Sequence, residues 1–136
     1  MDIVVLIARI LFVAVFAASA IGHLKSAEAM AAYAKFKGVP AAKLSVIGSG
    51  ILMALGTLSV VLGLWGDLGA LLLLVAILPI PFLMHRFWAE KDEARMNEQV
   101  QFNKTLSLVG GALALFALFA MVPDLGLTIT GPLFSL

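Results

Sequence analysis

Four long runs of apolar residues follow one another along the chain, at about residues 3–22, 44–64, 68–88 and 106–122. A helix needs about 17–25 mostly apolar residues to cross the hydrocarbon core of a bilayer, and each run meets that length. In each run the apolar residues cover all sides of a helix instead of forming one stripe, as membrane spans do. The pattern therefore predicts an all-α fold: an integral membrane four-helix bundle that forms one membrane domain over residues 1–136.

The first connection, residues 23–43, is long enough to hold structure of its own. Within it, the segment Ala27–Lys37 predicts a short helix at the membrane surface, because the helix-ending residues Gly38 and Pro40 follow it. The second connection, Trp65–Gly66–Asp67, predicts a tight turn. The two connections thus differ greatly in length and in what they can build.

The third connection, residues 86–105, is polar and is predicted to be helical in part. Its charges between Glu90 and Glu98 are most simply a solvated helix face, and a docking surface for a soluble partner is the alternative. The tail, residues 123–136, is mostly apolar and carries one charge, at Asp124. We therefore expect the tail to lie against the membrane or the bundle.

The composition narrows the classes of function. Hydrophobic residues make up 62% of the chain and charged residues 12%, against roughly 45–50% and 25% in soluble proteins, so a water-soluble enzyme is excluded. The absence of cysteine excludes disulfides, thiol redox relays and thiolate zinc sites. Any redox chemistry would need a bound cofactor or a partner. The net charge of +1 gives no reason to expect nucleic acid as a partner.

The basic residues are strongly sorted along the chain, and eight of the nine lie in or beside the two long connections. These eight are Lys25, Lys35, Lys37, Lys43, Arg86, Lys91, Arg95 and Lys104. Because basic loops stay in the cytoplasm, the pattern predicts a multi-pass protein of the cytoplasmic membrane. Both termini and the Trp65–Asp67 turn would then lie outside.

Arg9 is the basic residue that falls inside a span. An unpaired arginine at the centre of a bilayer costs about 2.5–3.5 kcal/mol on insertion scales, so its side chain should find a partner. It could reach the outer headgroups, enter an ion pair, or contact freed carbonyls or a carbonyl-bearing or anionic ligand. The acidic candidates on the outer side are Asp2, Asp67 and Asp124.

The third run contains Pro79 and Pro81, and each removes one amide donor from the helix. A kink or a widened turn is predicted there, which could make room for a ligand or serve packing alone. Small residues such as Gly48 and Gly56 recur along the runs and allow helices to approach closely. Packing within one bundle explains them most simply, and a homo-oligomer is the alternative.

Several residues suited to ligand binding fall at the predicted inner interface. His23 ends the first run, and His85 and Trp88 end the third, with Lys104 before the fourth. A neutral histidine can donate a hydrogen bond to a quinone carbonyl, and an aromatic ring can stack on a flat headgroup. An ordinary interfacial belt of Trp, His and Arg residues is the alternative interpretation.

The chain shows no hydrolase triad, phosphate loop or other self-sufficient catalytic constellation. Its two histidines, taken with Glu28, Glu90 or Asp92, have no recognisable metal-ligand spacing, so no metal is expected. Whether the protein is an enzyme therefore stays open at this stage, and at most it would form part of a larger one.

Several short motifs, taken in order, resemble the DoxX family of small four-span membrane proteins. They are Arg9 with Phe16 and Ser19–Leu24, Gly38–Val39–Pro40, Ser49–Gly56, His85–Arg86–Phe87–Trp88–Ala89, and Phe102–Leu106 followed by Gly110–Gly111. The resemblance covers about residues 7–115. It implies a link to quinone-dependent respiratory and sulfur-oxidising oxidoreductases, and hence a bacterial or archaeal cytoplasmic membrane.

Two positions depart from the pattern of that family. Val46 stands where many members carry a glutamate, which removes the obvious internal partner of Arg9. Thr105 stands where asparagine is usual. A mechanism that relies on an Arg–Glu pair is therefore not expected here.

Three functions are compatible with these observations. The leading hypothesis is a membrane subunit that binds a quinone or another lipid-soluble ligand in support of an oxidoreductase partner. Its candidate ligand-binding residues are Arg9, His23, His85, Trp88 and Lys104. The second hypothesis is a non-catalytic scaffold or assembly factor that docks a soluble partner through the face between Glu90 and Gln101. An oligomeric small-molecule transporter is the third.

Overall fold

The computed structural model describes residues 1–134, and that part of the chain is helical in all its regular elements. The helices are α1 (Asp2–Lys25), α2 (Ala27–Phe36), α3 (Ala42–Leu62), α4 (Gly66–Ile77), α5 (Ile80–Met84) and α6 (Asp92–Met121), with a 3₁₀ turn at Phe87–Ala89. The last two positions of the predicted tail, 135 and 136, lie outside the described residues.

Four helical segments are long and apolar enough to cross a membrane, which confirms the predicted fold class. They are α1, α3, the broken segment Gly66–Ala89 and α6. The short helix α2 lies between the first two, as the first connection predicted. In space α3 packs between α1 and α4, and α4 in turn packs on α6. The aromatic ring of Phe12 reaches Gly111, so α1 and α6 also meet and close the bundle.

The third span is broken near its two prolines. Helix α4 ends at Ile77 and α5 begins at Ile80, with Pro79 in the turn between them. Pro81 lies at the start of α5, where a missing amide hydrogen is tolerated because the first turn of a helix leaves such donors unpaired anyway. Helix α5 is only five residues long and stops before His85. The break therefore sets where the imidazole of His85 emerges from the bundle.

Helix α6 begins at Asp92, well before the predicted fourth span at residue 106. Its 30 residues span about 45 Å, which exceeds the roughly 30 Å of a hydrocarbon core. The charged first turns of α6 therefore extend beyond the apolar part of the helix. Asp92 and Glu93 lie in the first turn, where negative charge is favourable at the positive end of the helix dipole.

Close contact between α3 and α4 explains the small residues along them. A Cβ added at Gly56 would lie 2.8 Å from the carbonyl oxygen of Gly69 and equally close to the side chain of Leu73. Leu73 and Ala70 are fully buried beside this contact. The two helices can approach to this distance because position 56 has no side chain.

The C-terminal tail packs on the turn between α3 and α4. The amides of Ile129 and Thr130 donate to the carbonyl of Gly63, at 3.1 and 3.0 Å. Gly63 ends α3 with φ at +63°, and a Cβ there would lie 2.6 Å from Thr128. Glycine is thus required both by the left-handed backbone and by the tail. The tail therefore packs on the bundle through its backbone, at the turn between α3 and α4.

Candidate functional site

Polar side chains gather at the two opposite ends of the bundle. The tail end consists of the start of α1, the α3–α4 turn and the C-terminal tail. The loop end consists of the end of α1, helix α2, helix α5 and the start of α6. Arg9 lies at the tail end, and His23 lies about 21 Å further along the same helix, at the loop end. One small headgroup cannot touch both residues.

The side chain of Arg9 is completely buried, with 0% of its surface exposed. Its Nε donates to the carbonyl of Val60 at 2.8 Å, and Nη2 donates to the carbonyl of Val61 at 2.6 Å. Nη1 donates to the carbonyl of Leu127 in the tail at 3.1 Å. The guanidinium also lies 5.5 Å from the centre of the Phe119 ring. The complete burial rules out an arginine that extends to the headgroups.

Two of the three partners of Arg9 are carbonyl groups that a helix end leaves free. Val60 and Val61 belong to the last turn of α3. The carbonyls of a last turn find no amide donor within their own helix, and they lie at the negative end of the helix dipole. Asp67, one of the acidic alternatives, instead accepts a hydrogen bond from the amide of Phe134 at 2.6 Å. Among the predicted partners of Arg9, the structure therefore selects freed carbonyls.

A cavity of about 440 Å³ lies at the loop end, between α2, α3 and the α4–α5 segment. Most of its lining is apolar, and both histidines of the chain contribute to it. The lining residues are His23, Ala29, Met30, Tyr33, Ala34, Val39, Pro40, Ser45, Val46, Ser49, Ala76, Pro79, Ile80, Leu83, Met84 and His85. The broken third span thus borders the cavity, through Pro79 and α5.

His85 is held from behind by a carboxylate. Its Nδ1 lies 2.9 Å from Oε2 of Glu98, which reaches across from α6. The other carboxylate oxygen of Glu98 accepts a hydrogen bond from Nζ of Lys37 at 2.7 Å. Arg86 fixes the backbone of Lys37 by donating from Nη2 to its carbonyl oxygen, at 2.6 Å. A chain of polar contacts therefore runs from the cavity wall through α6 to the α2–α3 loop.

Glu98 is the centre of this network, with only 17% of its side chain exposed. The hydrogen bond that Lys37 donates to Glu98 raises the pKa of the Lys37 ammonium above its usual value, against the lowering effect of burial. Glu90 adds a second, longer ion pair with Lys37, at 3.8 Å. Lys37 is therefore positively charged across the physiological pH range, and it faces the carboxylate that holds His85.

His23 is also fixed through its Nδ1, which lies 2.7 Å from the carbonyl oxygen of Ser19 on the preceding turn of α1. A Cβ added at Gly50 would lie 2.8 Å from the Cβ of His23, so α3 passes closely beside this residue. The absence of a side chain at position 50 leaves room for the histidine at the cavity wall.

The partners of the two imidazoles determine where their protons lie. A carbonyl oxygen and a carboxylate accept hydrogen bonds, so Nδ1 carries the proton in His23 and in His85. In the neutral form Nε2 of each ring is then an acceptor, and it becomes a donor only in the imidazolium. The sequence predicted a neutral histidine that donates to a carbonyl, and the observed hydrogen bonds favour the opposite direction.

The other predicted site residues lie away from the cavity lining. Trp88 is 53% exposed, and its ring packs against Phe87 at 5.2 Å and Phe102 at 6.0 Å between ring centres. Lys104 is exposed on α6. The structure thus brings His23 and His85 together around one cavity, whereas Trp88 and Lys104 lie outside it and Arg9 lies at the opposite end.

Sequence reasoning missed Glu98 and Lys37 as parts of the site. Glu98 stands in a run of charges that was interpreted as a solvated face, and Lys37 was counted only as a topological signal. Both side chains are largely buried and paired. The one local signal is that Glu98 precedes the apolar part of α6 by about two turns, at the depth where His85 ends the third span.

Within residues 1–134 no group of three or more His, Asp or Glu side chains is placed to hold a metal ion. His85 and Glu98 form a pair that Lys37 completes, and a cationic ammonium in that position opposes a divalent cation. The polar groups of the cavity suit an uncharged ligand that carries a few hydrogen-bonding atoms.

Comparison with known proteins agrees with this architecture. The DoxX family model matches residues 4–86, which include α1 from Val4 onward, the helices α2 to α5 and both histidines of the cavity. No curated protein matches the chain, and no solved structure matches it. Because the family model covers more than half of the sequence, the chain belongs to the DoxX family.

Proposed function

We propose that this DoxX protein is a membrane subunit that binds a quinone or a similar lipid-soluble ligand at its loop end and serves an oxidoreductase system. The observation that carries the proposal is that His23 and His85 line the same apolar cavity. Its volume of about 440 Å³ falls within the roughly 300–1,000 Å³ of typical small-molecule sites. Apolar walls with a few polar groups are what such ligands require.

The residues of the cavity fit a flat headgroup with oxygen atoms. The hydroxyl of Ser45 is occupied by the carbonyl of Pro40 at 2.8 Å, and that of Ser49 by the carbonyl of Val46 at 3.1 Å. The imidazoles and the hydroxyl of Tyr33 are therefore the polar side-chain groups of the lining that could hydrogen-bond a ligand. When bound, a quinone would supply the electron chemistry that this cysteine-free chain does not carry in its own side chains.

The protein's own contribution would be binding and orientation. The apolar wall of α3 and α5 excludes water from the ligand. The imidazoles of His23 and His85 would form hydrogen bonds with its oxygen atoms, and Glu98 orients the ring of His85. Of the five residues predicted from sequence, our proposal retains these two histidines as ligand contacts.

The proposal is tested by the ligand that accompanies the protein. We expect organic extracts of the full chain, purified in mild detergent from its native membrane, to contain a quinone near one per protein by mass spectrometry. The variant His85→Ala should lose most of it. Lys91→Ala, which changes an exposed cation at the same end, should retain it. Bulk phospholipid alone, in all three preparations, would refute the proposal.

A second candidate function is supported by the start of α6. All residues from position 91 to position 97 are exposed, including Met96 at 69%. A helix turn that projects from the bundle with an exposed methionine and mixed charges could dock a soluble partner. As the alternative function, we propose a non-catalytic scaffold that docks its partner through this surface. Charge reversal at Asp92 and Glu93 should then abolish co-purification of that partner, and unchanged pull-downs would reject the surface.

A further inference from the structure

The hydrogen bonds around His85 determine which chemical group of a ligand this side chain can bind. Its Nδ1 faces Oε2 of Glu98 at 2.9 Å, and Oε1 of the same carboxylate faces the ammonium of Lys37 at 2.7 Å. An ammonium has no acceptor and an ionised carboxylate has no donor. The order of donors and acceptors along this chain is therefore fixed, with the proton of His85 on Nδ1.

A carboxylate behind a histidine sets which nitrogen the ring offers on its other side. With Nδ1 protonated, the neutral ring offers the lone pair of Nε2, and this lone pair can accept a hydrogen bond but cannot donate one. A ligand carbonyl and such a nitrogen are both acceptors and do not pair. A ligand hydroxyl pairs with it directly.

We infer that His85 accepts a hydrogen bond from a hydroxyl group of the ligand, with Glu98 as the positioning residue and Lys37 as the partner that keeps Glu98 in place. The cavity would thereby prefer the reduced, hydroxyl-bearing form of a flat aromatic headgroup over its oxidised carbonyl form. This inference rests on the proposed function and specifies the class of ligand that the same cavity selects.

The charged surroundings of His85 agree with this assignment. Glu98 faces it from α6, and Lys37 and Glu90 lie beyond that carboxylate. Arg86, the next residue along the chain, has its guanidinium turned to the carbonyl of Lys37. On the cavity side the titratable neighbours are His23 and Tyr33. The ion pair with Lys37 and the hydrogen bond from His85 use one oxygen of Glu98 each, so the carboxylate has a defined orientation.

The test compares menadiol with menadione, which have nearly the same shape and differ in carrying hydroxyls or carbonyls. Binding to the full chain in lipid nanodiscs is measured anaerobically by equilibrium dialysis. We expect wild type to bind menadiol about tenfold more tightly, the effect of roughly one well-formed hydrogen bond.

The variant Glu98→Gln should reduce this preference to about twofold, because an amide can either accept from Nδ1 or donate to it and no longer fixes the tautomer. Glu90→Gln is the matched control: it removes a carboxylate near Lys37 that does not contact His85, and the preference should persist. Circular dichroism confirms that each variant is folded.

A second readout does not depend on any ligand. In ¹⁵N-histidine spectra, with His85 assigned by its absence in His85→Gln, the ring should show protonated Nδ1 and unprotonated Nε2 in wild type. A mixture of tautomers should appear in Glu98→Gln. Protonated Nε2 in wild type would overturn the inference, whatever binds.

The binding results distinguish a failure of the hydroxyl preference from a failure of the proposed ligand site. Equal binding of menadiol and menadione, or tighter binding of menadione, would overturn the hydroxyl preference and leave the proposed cavity site standing. Failure of wild type to bind either compound would count against the proposed function as well. A preference that Glu90→Gln abolishes as fully as Glu98→Gln would overturn the role of Glu98.

Discussion

The Nε of Arg9 donates a hydrogen bond across 2.8 Å to the carbonyl of Val60 and so joins the start of the first span to the end of the second. With the neighbouring bonds to Val61 and Leu127, one buried cation caps a helix and holds the tail. The chain lacks an acidic residue in the second span, and helix-end carbonyls take that role. The guanidinium of Arg9 thus holds α3 and the tail together, and the candidate ligand site lies at the opposite end of the bundle.

Replacing Arg9 should destabilise the fold without changing the amount of ligand bound. We expect Arg9→Leu to lower the free energy of unfolding by about 3 kcal/mol, because one buried and two partly buried carbonyls lose their donor. Arg9→Lys should fall between wild type and Arg9→Leu, since one ammonium cannot reproduce the planar fork of the guanidinium. Unfolding in mixed micelles measures both values.

The control is the ligand content per folded molecule, which should not change in either Arg9 variant. A stable Arg9→Leu protein that has lost its ligand would reverse the assignment and make Arg9 a binding residue.

Two glycines of α3 provide a matched pair for the packing against α4. Gly56→Ala should cost about 2 kcal/mol, because the new methyl group would meet the backbone oxygen of Gly69 at 2.8 Å. Gly48→Ala lies on the same helix with nothing within 4 Å of the new atom, so its stability should stay within about 0.5 kcal/mol of wild type. Thermal unfolding of the two variants side by side tests the close approach, and similar losses at both positions would contradict it.

Filling the cavity should remove the ligand while preserving the fold. Val46 is a lining residue of α3, and Val46→Phe would occupy part of the 440 Å³ volume. We expect at least a tenfold loss of quinone binding, because the added ring takes the space of the headgroup. Leu55→Phe adds a ring on the same helix at a position that is 53% exposed, and it should bind as wild type does. If both variants bind normally, the ligand lies elsewhere.

The orientation in the membrane stays a prediction from the basic connections. Because the chain has no cysteine, single cysteines are clean probes of it. Asp124→Cys in the tail should react with an impermeant maleimide on intact cells, whereas Lys91→Cys should react only after permeabilisation. The reverse pattern would place both termini inside and the candidate site at the outer surface.

The spans and the helix α2 could be predicted because hydropathy and helix-ending residues are local signals. The start of α6 at Asp92 could not be predicted in this way. Hydropathy marks the part of a helix that lies in the membrane and not the residue at which helical hydrogen bonding begins. The need of Arg9 for a partner was predictable from the cost of a buried charge. The choice of Val60 was not, because it depends on how α1 packs beside the end of α3.

The pairing of Glu98 with His85 and Lys37 was beyond the reach of local patterns for a related reason. Lys37 and Glu98 lie 61 positions apart in sequence, and their meeting depends on where the broken third span ends. A carboxylate on a polar helix face looks the same in sequence whether it is solvated or paired. Glu98 is paired because α5 ends where it brings the imidazole of His85 within 2.9 Å of the carboxylate, and this is visible only in the fold.

An experimental density map of the wild-type protein, purified in mild detergent from its native membrane, would show directly whether the cavity holds a flat ligand. We expect elongated density in the cavity between α2, α3 and α5, ending in a flat headgroup whose oxygen lies within hydrogen-bond distance of Nε2 of His85. A cavity closed by repacked side chains, or one holding only a phospholipid acyl chain with no group facing His85, would contradict it.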